Sequence, residues 1–374
     1  MAIVEYGSAN FSQQANLEKY SRPRVLVVNP SQVWRERSNP AAIATMKELN
    51  PDLKVLGYFN AHSSWLRWGN DHYPDGSYES DWYDATRPYW SYTTEGDTMM
   101  SWPGKALINI LNPDCREAMV QVLRNHWEAH DNVFDGIFWD HFNTKLWVIN
   151  ELEGREGDMD LDGDGISHKN DEDEMEAYRQ ASVALITRAR EVLGEDVIQI
   201  TNGNRAAVDE EFAGLVDGAF YEHFPEVGFS GDEMRNALDP ACPNNLFTAR
   251  SWMRTRNGGP FLILSNTHFV YREDAQGHRE AVRLAEFNRA VALITGNLVS
   301  YHSDDCRTHY GWPDQEVNLG RPLGEAQFEG DFVSREFENG RVWLDFSEAR
   351  LGAPFSFQIQ QNGMIIQDMD LMAD

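Results

Sequence analysis

Phe134-Asp135-Gly136-Ile137-Phe138-Trp139-Asp140-His141-Phe142 and Val216-Asp217-Gly218-Ala219-Phe220-Tyr221-Glu222-His223-Phe224 are two copies of one pattern, Asp-Gly-x-Phe-aromatic-acid-His-Phe. Each copy opens on Asp-Gly, runs through apolar and aromatic residues, and closes on a carboxylate. A short run that is apolar on both faces suits a buried parallel strand. Packing does not explain the terminal acid, because a carboxylate buried without a partner costs several kcal/mol. Asp140 and Glu222 are therefore expected at equivalent strand ends, facing one pocket. Asp135 and Asp217 are expected at the opposite ends, in turns or salt bridges.

Six further runs of the same kind extend the pattern: 24–29, 54–60, 105–110, 197–201, 261–265 and 298–301, with the repeat itself supplying 133–139 and 215–221. Amphipathic helix patterns lie between them, as at 114–130, 173–193 and 279–295, the first opened by Asn112-Pro113 and the second stopped by Gly194. Eight β/α units in series predict an α/β fold, a (β/α)8 TIM barrel over residues 1–315. Residues 316–374, with the turn Glu338-Asn339-Gly340, predict a small C-terminal antiparallel β-domain. In such a barrel the fourth and sixth strands are separated by one strand, so the two acids should face each other across a short gap. Two insertions, His62 to Pro103 and Asn143 to Asp171, follow strand ends on the face where barrel enzymes build their sites.

Composition limits the rest. The chain has 374 residues, 12% of them aromatic, with 32 Lys and Arg against 60 Asp and Glu, a formal charge of −28. That aromatic content excludes a disordered acidic tail, and the charge argues against a nucleic-acid partner, which would need clustered cations. No apolar run is long enough to span a membrane, so no membrane partner is expected, and nothing marks a protein partner. Cys115, Cys242 and Cys306 are too dispersed for a disulfide framework or a zinc site and read as buried small residues. Several of the twelve Trp lie beside polar residues in the first insertion (Trp65, Trp68, Trp82, Trp90, Trp102), where they either pack or stack on sugar rings.

Two carboxylates on one pocket suit glycosidic bond cleavage, one donating a proton to the leaving oxygen and the other attacking or activating water. Asn29, Tyr58, Asn60, His62, Asn109, Trp139, Asn202, Tyr221, Asn266, His268, His302 and Asp304 lie where strands give way to loops and are candidate substrate contacts, although any one of them could instead cap a loop. His141 and His223 follow the acids and either bond substrate or cap structure. The rival readings are a carbohydrate-binding barrel without catalysis and a calcium-dependent phosphodiesterase, the latter disfavoured by the lack of an evident Lys or Arg cluster.

The second insertion carries a calcium signature. Counting from Asp160, side-chain oxygens fall at positions 1, 3 and 5 (Asp160, Asp162, Asp164), Gly165 at 6, the Ile166 carbonyl at 7, His168 at 9 and Asp171 at 12. Asp replaces Glu at the last place, so the loop resembles thrombospondin-type and dockerin-type loops more than a helix-flanked EF-hand. A structural Ca2+ is expected within about 150–174. Because calcium is abundant outside the cytoplasm, a secreted or periplasmic enzyme is expected.

Gly57-Tyr58-Phe59-Asn60, Leu107-Ile108-Asn109 with Asn112-Pro113, Phe134-Asp135-Gly136 through Trp139-Asp140, the Glu222 strand and Arg335-Glu336-Phe337-Glu338-Asn339-Gly340 together resemble the hypothetical glycosyl hydrolase family 15 group. More distantly they look like glycoside hydrolase families 114 and 135, which cleave galactosamine-containing polysaccharides. The resemblance spans about Arg24 to Phe346. It implies a carbohydrate substrate, Asp140 as nucleophile or base, and Glu222 as acid. The long acidic insertion and the triplet Trp139-Asp140-His141 depart from the family 114 pattern, so the sugar is not carried over.

Overall fold

A computed structural model describes residues 2–5, 11–34, 41–70, 73–142, 144, 160–161, 165–167, 172–203, 209–222, 224, 231–242, 245–265, 287–300, 317–347 and 356–368. Its strands in chain order are β1 (Ala2–Glu5), β2 (Val25–Val28), β3 (Lys54–Asn60), β4 (Ser63–Trp65), β5 (Met100–Trp102), β6 (Lys105–Leu107), β7 (Gly136–Asp140) and β8 (Ile198–Asn202). They continue with β9 (Gly218–Tyr221), β10 (Phe261–Ser265), β11 (Leu298–Ser300), β12 (Gln327–Glu329), β13 (Phe332–Phe337), β14 (Gly340–Asp345), β15 (Ser356–Gln361) and β16 (Met364–Asp368).

One parallel sheet runs β1-β2-β3-β7-β8-β9-β10-β11, curled so that its inner face holds a core of its own. Alternate residues of each strand build that inner core: Val25 and Val27, Leu56 and Tyr58, Phe138, Ile198 and Ile200, Phe220, Phe261 and Ile263. The intervening residues face outward and pack on helices such as Ala41–Leu49, Pro113–Ala129 and Glu172–Leu193. Period-two alternation thus gives each strand two apolar faces, which is why the sequence shows continuous apolar runs.

The Asp-Gly that opens each repeat has one job in both copies. Asp135 Oδ2 accepts from the Val55 amide (2.8 Å) and pairs with Lys47 Nζ (2.9 Å); Asp217 Oδ2 accepts from the Gln199 amide (2.9 Å) and from Arg190 Nη2 (2.7 Å). Each carboxylate thereby takes up a strand-edge amide at the amino end of the sheet. The glycine beside it admits the neighbouring strand, since a Cβ on Gly136 would stand 2.2 Å from the Ile198 carbonyl oxygen, and one on Gly218 would stand 2.2 Å from that of Phe261. The expectation for Asp135 and Asp217 agrees with this placement.

The expected strand at 105–110 is corrected. Lys105–Leu107 pairs antiparallel with β4 and β5 in a separate three-stranded sheet, while β3 pairs directly with β7 and β1 supplies the eighth parallel strand. A three-residue β6 between a turn at Gly104 and the cap of helix Pro113–Ala129 is too short to cross the large sheet, and its partners are the inserted strands next to it. Further along, β12 to β16 form an antiparallel sheet in sequential order, as expected for the C-terminal segment. Arg335 of β13 joins it to the rest by donating to the Ile294 carbonyl (2.9 Å) at the end of the helical residues 287–295. Cys115 is buried, Cys242 is partly exposed, and Cys306 lies outside the described residues. Among the described residues no helix is long and apolar enough to cross a membrane.

Candidate active site

At the carboxyl end of the parallel sheet the inward-facing residues turn polar: Asn60 on β3, Asp140 on β7, Asn202 on β8 and Glu222 after β9. Asn60 lies opposite Asp140 in the ladder. Asn202, on the strand between the two acids, donates one amide nitrogen to both, at 2.8 Å to Asp140 Oδ1 and 2.9 Å to Glu222 Oε2. Asp140 Oδ2 accepts from the Tyr58 hydroxyl and, at 3.3 Å, from Asn60 Nδ2. Asn60 Oδ1 faces the other way and takes the Ser63 hydroxyl (2.6 Å) and the His62 amide (3.3 Å), fixing the turn into the first insertion. Asp140 is thus a buried carboxylate held by three donors, which satisfies a group that would otherwise be costly there.

The two acids differ in electrostatics. Burial alone would raise the Asp140 carboxyl, but the charges of His141 and Lys105 and the bonds from Tyr58 and Asn202 outweigh it and hold it below the usual carboxylate range. Glu222 is pushed up to about 7, first by burial and then by the negative charge of Asp140, with Asn202 and Lys105 opposing. The pair is therefore split, with Asp140 ionised and Glu222 protonated up to about pH 7.

Around them stand imidazoles and aromatics. His141 has a left-handed backbone (φ 52°), an uncommon conformation for a residue with a side chain, and its Nε2 lies 3.7 Å from Asp140 Oδ2. Its ring meets that of His62 edge to face at 5.3 Å and that of Trp102 at 6.2 Å. Burial holds His62 down at about 3, so that ring is neutral at working pH. Lys105, at the start of β6, acts electrostatically on both acids and is buried beside the Trp65 ring. It was missed as a site residue because the sequence places it at the amino end of a barrel strand.

Two expected contacts face away from this cleft, and two others are held in turns. Trp139 and Tyr221 belong to the outer face, since each precedes an inward acid by one residue and successive side chains alternate. Trp139 is fully buried with its indole nitrogen on Gln199 Oε1 (3.0 Å), and Tyr221 packs on Phe224. Asn29 Oδ1 accepts from the Ser31 amide (3.0 Å) and hydroxyl (2.8 Å), closing the turn after β2. Asn109 accepts from the Leu111 amide (3.0 Å) and donates to the Leu161 carbonyl, tying the second insertion to the segment after β6. His223, Asn266, His268, His302 and Asp304 lie outside the described residues, as do Asp162, Asp164, His168 and Asp171 of the acidic loop. Of that loop, Asp160 Oδ2 accepts from the Gly165 amide (2.9 Å), and Gly165 has φ 84°. Ile166 is exposed.

A curled parallel sheet with two differently protonated acids at its carboxyl end defines an α/β protein with a two-carboxylate cleft. Residues 47–341 match the model of hypothetical glycosyl hydrolase family 15, and the chain belongs to that family. No curated protein matches it. Solved structures similar to it include Ega3 of Aspergillus fumigatus in complex with galactosamine, at 13% identity over 82% of this chain and 92% of that one, with a TM-score of 0.43. Cyclic alpha-maltosyl-(1→6)-maltose hydrolase from Arthrobacter globiformis, in complex with maltose, is 12% identical over 94% of this chain and 92% of its own, with a TM-score of 0.47. A noncanonic maltogenic alpha-amylase from Thermotoga neapolitana is 12% identical over 97% and 85%, with a TM-score of 0.48.

Proposed function

We propose that the protein is a glycoside hydrolase that cleaves with retention of anomeric configuration, Asp140 being the nucleophile and Glu222 the acid and then the base. The observation that carries this reading is the single Asn202 nitrogen bonded to both carboxylates. Two oxygens at 2.8 and 2.9 Å from one atom stand no further apart than those lengths laid end to end, about 5.7 Å. That bound, for the nearest pair of oxygens, favours the carboxyl separation of about 5–5.5 Å typical of retaining enzymes over the about 6.5–9.5 Å of inverting ones, which admit a water. The split protonation supports the same roles. Ionised Asp140 attacks the anomeric carbon while Glu222 gives its proton to the departing oxygen. Water then attacks the glycosyl ester, returns a proton to Glu222 and releases the Asp140 carboxylate, so one water is consumed and the enzyme is restored.

In this reading the parallel sheet closes as a TIM barrel between β1 and β11, whose Cα atoms approach within 8 Å. The acidic insertion holds a structural Ca2+ through Asp160, Asp162, Asp164, Ile166, His168 and Asp171, a reading supported by the Gly165 turn bonded back to Asp160. Calcium dependence in turn favours an enzyme that works outside the cytoplasm. The test is release of reducing ends from a panel of polysaccharides, galactosamine-containing polymers included, with calcium present. Wild type runs beside Asp140→Asn, and proton NMR follows the anomer first released. Release by wild type alone, as the retained anomer, is the expected result. Binding of a glycan without cleavage would move the function to a carbohydrate-binding barrel.

A further inference from the structure

The wall contributed by the inserted β4-β6-β5 sheet carries positive charge where the rest of the chain is strongly negative. Lys105 pairs with Trp65 across β4 and with Trp102 across β5, and it is only 9% exposed. Its ammonium lies 4.8 Å from the centre of the Trp65 ring, and the exposed guanidinium of Arg67 lies 4.2 Å from the same centre. Among the described residues neither cation forms an ion pair. Beside Lys105 the buried ring of His62 is 3% exposed.

A buried cation is costly without a partner, and a second, exposed cation stacks on the same indole. Together the two cations present donors suited to an anion. Asp140, held below the usual carboxylate range, sets its negative charge against two cations. We infer that this wall recognises a negative charge on the substrate, so that a sugar next to the cleaved bond carries a carboxylate or a sulfate. With Asp140 facing Lys105, a neutral sugar would leave Arg67 without a counter-charge among the described residues. The inference rests on the glycoside hydrolase reading for cleavage but not for binding.

The experiment uses three sets of oligosaccharides of equal length, uronate-bearing, sulfated and neutral, with kcat/KM measured on wild type, Lys105→Met and Arg67→Gln. Binding of the uronate set to Glu222→Gln is followed by calorimetry at low and high salt. Charge-assisted hydrogen bonds are strong enough for a preference of roughly 10- to 100-fold for an anionic set. Lys105→Met should erase that preference, Arg67→Gln should reduce it, and salt should weaken binding. Whether the uronate or the sulfated set leads identifies the group recognised. Equal loss on charged and neutral sugars in Lys105→Met would overturn the inference, because Lys105 would then only support Asp140. Cleavage of neutral sugars with no binding of either anionic set would also overturn it and leave the proposed function standing. Binding of an anionic set without cleavage of any sugar would overturn the function and leave this inference standing. Arg67 is exposed, so its variant keeps the test open if Lys105→Met fails to fold.

Discussion

Asn202 controls both acids through one nitrogen, so its removal reads out differently from removal of either acid. Asp140→Asn and Glu222→Gln should each lower kcat by 10²-fold or more, the lower end of what a positioned acid or base contributes, with circular dichroism unchanged. Asn202→Ala should lower kcat and also move the alkaline limb of the pH profile upward, because the bond it gives Glu222 holds that group down. In wild type that limb should fall near pH 7, where Glu222 loses its proton, and the acid limb should lie below the ordinary carboxylate range, where Asp140 gains one. Stability follows with its own sign. Between the ordinary glutamate value of 4.5 and about 7 the folded state holds a proton on Glu222 that the unfolded chain has lost, so stability falls as pH rises through that window. At about 1.4 kcal/mol per pH unit this amounts to about 3 kcal/mol by neutral pH. Glu222→Gln should therefore melt higher than wild type at pH 8, with the gap closing at pH 4.5. At this scale the sequence was most legible. Two aligned repeats exposed Asp140 and Glu222, and the same alternation assigns Trp139 and Tyr221 to the opposite face, a signal present in the sequence and passed over.

Elements hold these residues through contacts at the far end of the same strands. Asp217, with Arg190 at 2.7 Å and the Gln199 amide at 2.9 Å, is 1% exposed, so breaking the pair leaves a buried charge with only the longer contact to Arg254 at 3.8 Å. Arg190→Met should cost about 3–5 kcal/mol in urea unfolding while leaving KM unchanged at permissive temperature. Gly218→Ala should be worse, since backbone of Phe261 occupies the space the methyl needs. The elements that escaped the sequence were short ones. Ala2–Glu5 gives only four residues and one alternation, and Lys105–Leu107 shows the same apolar run whether its neighbours are parallel or antiparallel. Direction of pairing is set by which strands lie next to it in space, and no local pattern encodes that. Lys105 therefore entered the cleft unannounced.

The whole molecule joins a curled sheet, two insertions and an antiparallel appendage. If the acidic loop holds calcium as proposed, chelation should lower the melting temperature and raise KM, because Asp160 bridges to Tyr92 and Leu161 is held by Asn109, so the loop grips the Trp-rich insertion that forms one wall of the cleft. Differential scanning fluorimetry with and without chelator checks this, and an unchanged melt would remove the calcium proposal. The amide shared by the two acids also sets a limit on working life. Asn202 is followed by Gly203, the kind of neighbour whose unhindered backbone nitrogen can displace ammonia from an asparagine side chain. Attack by that nitrogen would expel ammonia and close a succinimide, and a water opening the ring would leave an aspartate or isoaspartate carboxylate where the shared donor stood, a third acid beside two others. Old preparations should then lose activity in step with the fraction of deamidated Asn202 peptide while still melting as folded protein, so that the enzyme's clock would be chemical and not conformational.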